Sequence, residues 1–199
     1  NLKRFAEGAV TFERAFAQAP RTPFSIPSLL TGRYPSRLKW DTRKSKNYPR
    51  LKDENITIFE RFKEAGWRTE AVSAHWYFGD KKNINLNQGL DRWDNRGEMS
   101  VKDSNTQSEA AGITKRLIEG LERLAPQRKE QPFMMFAHYF APHGRYMRHQ
   151  TNCKGLKKSW CHVEPKCEAH PTGCQFGDPK ARGLTKLVNA YDSELAYVD

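Results

Sequence analysis

Residues 132–140, Pro-Phe-Met-Met-Phe-Ala-His-Tyr-Phe, form the most hydrophobic run of the chain and restrict its fold more than any other stretch. The run is short and does not alternate apolar with polar positions. It therefore reads as a central strand of a parallel sheet, covered by helices on both faces. Two other segments supply the same kind of unit. Residues 56–65 are expected as a helix with Ile56, Phe59 and Phe62 turned to a core, stopped at Gly66 and followed by a strand over 67–74. Ser104-x-x-Gln107 has the form of a capping box, and a helix is expected from there to about Ala125. Its apolar stripe is Ile113, Leu117, Leu121 and Leu124, with Lys115, Arg116, Glu119, Glu122 and Arg123 expected in water. Open sheets of this class carry their sites at the carboxyl ends of the strands. Two such ends are legible: Ala74-His75-Trp76, and His138-x-x-x-Pro142-His143-Gly144-Arg145-Tyr146.

Composition narrows the partners. At 199 residues the chain is long enough for one α/β domain with a real core. Apolar residues are 37% of it and the mean hydropathy is -0.85, so the surface must be polar. No run of about twenty apolar residues exists, and no membrane span is expected. The net charge is +11, and its excess is concentrated. Between Arg33 and Lys52 stand Arg33, Arg37, Lys39, Arg43, Lys44, Lys46, Arg50 and Lys52, against the single acid Asp41. Such a stripe gathers anions: sulfated or phosphorylated esters and polymers, or lipid headgroups. A solvated loop without a partner is the competing reading. Nucleic acid is set aside, because no recognition motif accompanies the basic residues.

A second organising stretch runs from Thr22 to Pro35, Thr-Pro-Phe-Ser-Ile-Pro-Ser-Leu-Leu-Thr-Gly-Arg-Tyr-Pro. It reads as an exposed turn feeding a short helix. Ser25 is placed to cap the first free N–H groups and Pro27 to occupy the first turn, while Gly32 ends the helix and Pro35 prevents its resumption. Thr22, just upstream, would lie where a helix dipole favours an anion. A hydroxyl there is suited to attack a charged ester. The bland alternative is a Thr-Pro turn that only introduces a surface helix. Elsewhere, residues 1–8 are expected as a short helix, 10–17 as a strand, 36–55 as a loop and 184–199 as a helix. Gln88 to Asp94 is expected as a packed turn with Leu90 and Trp93 buried.

Cys153, Cys161, Cys167 and Cys174 all fall at 150–182, with His162 and His170 between them. Zinc and two disulfides are both open, and the lack of a Cys-x-x-Cys knuckle favours disulfides. Disulfides would imply an oxidising compartment. Lys154, Lys157, Lys158 and Lys166 make this insertion basic as well.

Leu30-Thr31-Gly32-Arg33 and the residues before it resemble the sulfatase signature Cys-x-Pro-Ser-Arg-x-x-x-Leu-Thr-Gly-Arg. Three further stretches resemble the family in the same order. They are Asn1-Leu2-x-x-Phe5-Ala6-x-Gly8-x-x-Phe12-x-x-Ala15-Phe16-Ala17, the His138 to Tyr146 segment, and Ala190 to Asp199, which is similar to Tyr-Asp-x-Glu-Ile-Ala-Tyr-x-Asp. The alignment puts Thr22 at the Cys that becomes formylglycine and Ser25 at the signature Ser. Phe24 replaces the Pro, Ile26 replaces the supporting Arg, and Arg145 stands where Pro is usual. The family's Gly-Lys-Trp-His-Leu-Gly corresponds to Ser73 to Gly79, without its Lys and with His75 displaced by one place. A threonine nucleophile is what phosphoethanolamine and lipoteichoic-acid transferases of the same alkaline-phosphatase-like superfamily use.

The resemblance implies an alkaline-phosphatase-like three-layer α/β sandwich, with a mostly parallel sheet and helices on both faces. Residues 1–199 would be part of the catalytic domain, carrying the basic Cys-containing insertion at 150–182. The first strand and the C-terminal part, with most metal ligands, are expected outside this chain, so the 199 residues alone should be inactive. A divalent metal is implied: calcium for sulfatase-like chemistry, zinc or manganese for threonine-dependent phosphotransfer. Thr22 would be nucleophile and metal ligand, with His143 acting on the leaving group. His75 would assist catalysis and, with His138, orient the anion. Ser25 and Arg145 would support binding. An extracytoplasmic location is expected. A catalytically inactive domain that binds anionic glycans or headgroups is the alternative of another class.

Overall fold

The computed structural model describes residues 2–43, 46–75, 78, 84–96 and 110–140. The chain divides into two units. One comprises Asn1–Thr11, Met99–Ala110 and Phe140–Asp199, the other Phe12–Glu98 and Ala111–Tyr139. In the first unit the described structure is chiefly α1 (Leu2–Ala6), as expected.

The second unit carries a parallel sheet. Its central strand is β3 (Arg68–Val72), flanked by β4 (Arg92–Asp94) and β5 (Phe133–Ala137). Val72 registers with Asp94 on one side and Ala137 on the other, so all three strands end level. Because every pairing is parallel, the residues leaving those ends emerge at one edge: Ser73 to His75, Asn95 and Arg96, and His138 with Tyr139. Helix α3 (Ile58–Glu64) covers one face, and α4 (Ala110–Leu124) the other. This is the α/β layering that the apolar run at 132–140 requires.

The α3 face is closed by Phe59, fully buried, with Leu30, Leu38, Leu51, Phe78, Ile84 and Leu86. Met134 and Phe136 pack onto this cluster from β5, and the Phe59 and Phe136 rings meet edge to face at 5.9 Å. The α4 face holds Val72, Ala74 and Ile113, joined by Met135 and Tyr139. Alternation along β5 thus assigns Met134, Phe136 and His138 to one side, Met135 and Tyr139 to the other.

Several expectations shift for local reasons. A capping box starts α3 at Ile58: Glu60 N–H donates to Thr57 Oγ1 at 3.2 Å, and Thr57 N–H to Glu60 Oε2 at 2.7 Å. Ile56 is consequently outside the helix and 42% exposed rather than in the core. Residues 10–17 form no strand and expose Val10, Phe12 and Phe16, since a strand needs a partner and the described residues give it none. The loop at 36–55 contains a small antiparallel pair, β1 (Trp40–Asp41) with β2 (Arg50–Leu51). The turn at 88–94 continues directly into β4, with Trp93 donating from Nε1 to the Phe78 carbonyl at 3.2 Å. Strand β5 is half-buried and, among the described residues, pairs only with β3, which takes the central place assigned to it.

Gly89 lets the turn before β4 lie on α3. Its φ is +82°, and a Cβ there would come within 2.7 Å of Glu60 Cα. Gly32, at φ +64°, has open space around it. Gly89→Ala is therefore expected to cost roughly 3 kcal/mol or more, from strain plus overpacking, whereas Gly32→Ala should cost about 1 kcal/mol. Denaturant midpoints of the two variants measure this ordering, and equal midpoints would contradict the contact.

Candidate functional site

Thr22 is the first residue of α2 (Thr22–Thr31), not a residue upstream of it. Pro23 at the second position makes an earlier start favourable, because it needs no donor. Ser25 then lies inside the helix, its N–H donating to the Arg21 carbonyl at 2.9 Å, and does not cap. Phe24 N–H reaches the same carbonyl at 3.1 Å. With Pro23 lacking a donor and two others engaged, the helix terminus presents mainly the Thr22 N–H. Gly32 closes the helix in the left-handed conformation, as its position in the sequence implies. Thr22 and Ser25 are half-buried. Ile26 packs on the apolar cluster beside Leu30.

That cluster connects α2 to the carboxyl edge of the sheet. Phe78 belongs to it and lies against both histidines, with ring centroids 5.6 Å from His75 and 4.8 Å from His138. The two imidazoles stand 6.0 Å apart, at 73° to each other. His75 is buried; its N–H donates to Ser73 Oγ at 3.3 Å, and its carbonyl accepts from Phe78 N–H at 3.0 Å. His138 N–H donates to the Val72 carbonyl at 2.9 Å, which extends the β3–β5 ladder by one residue and fixes where the imidazole leaves the sheet.

Two polar atoms at this edge are buried without a hydrogen-bond partner among the described residues: His138 Nδ1 and Asn95 Oδ1. Orphans of this kind are rare in ordinary packing and concentrate where a water, ion or ligand completes the set. The sheet edge therefore holds His75 and His138 together, as the sequence suggests, and adds Asn95, which the sequence reading missed. His143 and Arg145 lie outside the described residues, as do the four cysteines, the insertion at 150–182 and the expected helix over 184–199.

Burial pushes the His138 imidazole down from 6.5 to about 4, so the ring is neutral near pH 7. In the unfolded chain the same ring takes up a proton as pH falls through 6.5. Folding thus loses stability between about pH 6.5 and pH 4, and keeps it in full above that window. For a largely buried residue the loss is expected at about 1–3 kcal/mol. His138→Gln should flatten this part of the pH–stability curve, and parallel curves for the two proteins would contradict a buried neutral imidazole.

The other face holds residues whose environment the sequence misplaced. Arg116 and Arg123, expected in water, turn toward the sheet. Arg123 Nη1 donates to Glu70 Oε1 at 2.9 Å and its Nη2 to the other oxygen; Glu70 is buried. Arg116 Nη2 donates to the Ser73 carbonyl at 3.2 Å. Asp94 is gripped by Arg96 through bonds of 3.0 and 2.6 Å, and the Arg96 donors hold its carboxyl below the usual range. The seven-residue spacing of Arg116 and Arg123, in line with Ile113, Gly120 and Leu124, was the available signal.

The basic stripe is also less bare than its sequence. Lys39 pairs with Glu54 at 2.8 Å, Arg43 with Asp41 at 2.6 Å and Arg50 with Asp53 at 3.2 Å. Asp41 within the stripe and two acids just beyond it, Asp53 and Glu54, pair with it. Among the described residues, no three His, Cys, Asp or Glu side chains come together as a metal would need. No described helix is long and apolar enough to cross a membrane.

A parallel three-stranded sheet with its strands ending level and helices on both faces is consistent with an α/β fold of the alkaline-phosphatase-like kind. The family model described as Sulfatase matches residues 1–199, and the chain belongs to that family. Its members hydrolyse sulfate esters and generally use a divalent metal ion. Neither curated proteins nor solved structures gave a match.

Proposed function

We propose that Thr22 is the nucleophile of a metal-dependent hydrolase or transferase acting on sulfate or phosphate esters, with phosphate favoured. The reading rests on the resemblance of the residues up to Leu30-Thr31-Gly32-Arg33 to the sulfatase signature, which would put Thr22 at the nucleophile position. A threonine cannot become formylglycine. The observation that supports the reading is that Thr22 stands first in α2. Its Oγ forms a bond to phosphorus or sulfur as the bond to the alcohol oxygen breaks. The threonine proton is released to water, and His143 gives a proton to the departing oxygen. Water or an acceptor alcohol then cleaves the adduct and restores the hydroxyl. An adduct on a plain hydroxyl is a phosphothreonine-type ester, which suits phosphoryl chemistry better than the aldehyde-hydrate route of sulfate cleavage.

His75 and His138 orient the anion, supported by the 6.0 Å spacing of their rings and the unsatisfied polar atoms beside them. A neutral His138 serves as a hydrogen-bond donor to an oxyanion without requiring a second buried charge. Ser25 and Arg145 complete the binding assignment, and Thr22 doubles as a metal ligand. The substrate is anionic, either polymeric or a headgroup, and the location is extracytoplasmic, in keeping with the clustered cysteines.

The test is turnover by the full-length protein of an aryl sulfate, an aryl phosphate and an aryl phosphodiester, after chelation and after return of calcium, manganese or zinc. The proposal expects chelation to abolish turnover, manganese or zinc to restore it, and a phosphoester to be the better substrate. Strong preference for the sulfate with calcium would overturn the phosphoryl assignment. A binder of another class has one supporting observation: Arg33, Arg37, Lys46 and Lys52 make no ion pair among the described residues. Such a protein would show no turnover, and its affinity for a sulfated polymer would fall steeply with salt.

A further inference from the structure

A cleft of about 220 Å³ opens between α4 and the sheet. Met135 and Val72 contribute to its wall, so it lies on the α4 face, whereas His138 stacks with Phe136 toward α3. Such an interface is ordinarily filled by apolar side chains. Here the wall is formed by Arg92, Arg96, Arg116 and Arg123 around Asp94 and Glu70.

Their hydrogen bonds do not balance. Arg123 satisfies Glu70, and Arg96 satisfies Asp94. Arg116 Nε sits 3.7 Å from Asp94 Oδ1, too long for a hydrogen bond. That atom is buried with no partner, on a side chain only 13% exposed. Arg92 approaches Asp94 no closer than 3.9 Å. Two guanidiniums thus converge on one cavity with donors unspent after Glu70 and Asp94 are taken, and the third lining carboxylate, Glu119, pairs with Lys115 at 4.0 Å. Leaving such a buried donor unmade costs about 1–3 kcal/mol. Planar N–H forks are matched best by a small anion with several acceptor oxygens. The volume is below the roughly 300–1,000 Å³ of pockets that take larger organic ligands.

We propose that this cleft binds a tetrahedral oxyanion, inorganic sulfate or phosphate, separately from the Thr22 and histidine residues on the opposite face. The proposal goes beyond the catalytic assignment and does not depend on it. Full-length protein is titrated with sodium sulfate and, separately, sodium phosphate, at ionic strength held constant with chloride. Calorimetry and the arginine Nε–H resonances follow the titration. Saturable binding that shifts the Arg116 Nε–H resonance is expected for at least one anion, and whichever arm saturates identifies the ligand. Arg92→Gln should weaken it about tenfold, and Glu119→Gln, at the cleft margin, should tighten it severalfold. Thr22→Ala should leave it unchanged. Arg92 and Glu119 are both substantially exposed, and thermal unfolding in anion-free buffer verifies the fold of each variant. If Arg92→Gln fails to fold, the Glu119→Gln comparison decides alone. A response no different from chloride, equal affinity in wild type and variants, or loss of binding in Thr22→Ala would each overturn the site.

Discussion

Thr22→Ala in the full-length protein is expected to lower kcat for a phosphoester or sulfate ester by roughly a thousandfold or more, with little change in KM. The asymmetry follows from the role assigned to the side chain. A nucleophile takes part in bond formation and contributes little to holding the ground state, so its removal acts on the chemical step. The fold should survive. Thr22 is half-buried at the first position of α2, outside the apolar cluster that Ile26 and Leu30 join. Its removal should therefore change stability by about 1 kcal/mol or less. Thr22→Ser, which keeps a hydroxyl, should retain much of the activity. Steady-state kinetics on the two variants, with matched unfolding curves, checks this. A Thr22→Ala protein with unchanged kcat would remove the residue from the mechanism.

The largest stability effect is expected from Phe59→Ala, at about 3–5 kcal/mol. Phe59 is completely buried and meets Phe136 edge to face. Its cluster takes side chains from α2, from β2 and from Phe78. Truncation would leave a cavity that these elements cannot all close, since each is held by other contacts. The loss extends past stability, because Phe78 in this cluster supports the rings of both His75 and His138. Chemical denaturation measures the first effect. A shift below about 1 kcal/mol would show that the cluster is not the structural base of the site.

Two of the three strands of the parallel sheet were legible, β5 as a short apolar run and β3 from the helix-Gly unit that precedes it. The run at 132–140 and the helix-Gly-strand unit at 56–74 each correspond to observed elements. Strand β4 escaped notice because Arg92-Trp93-Asp94 is too short and too polar to announce a strand. Only pairing with β3 makes it one. Residues 10–17 show the converse, with strand-like alternation but no strand. Local pattern proposes and tertiary pairing decides.

The charged residues followed the same rule. Arg116 and Arg123 read as water-facing because arginine usually is, yet Asp94 and Glu70 on neighbouring strands draw them inward. Their spacing within α4 puts them on the face of Ile113, Gly120 and Leu124, but the carboxylates they meet stand on other elements. At the candidate site, the approach of His75 to His138 was foreseeable from parallel strands ending level. Asn95 was not, since it became a strand-end residue only once β4 was placed.

Rapid-quench mass spectrometry of the full-length protein during turnover of a phosphoester tests the catalytic assignment most directly. The account predicts a covalent adduct on the peptide that contains Thr22, localised to that side chain and absent from Thr22→Ala. An adduct on a different residue, with Thr22 unmodified while product accumulates, would contradict it.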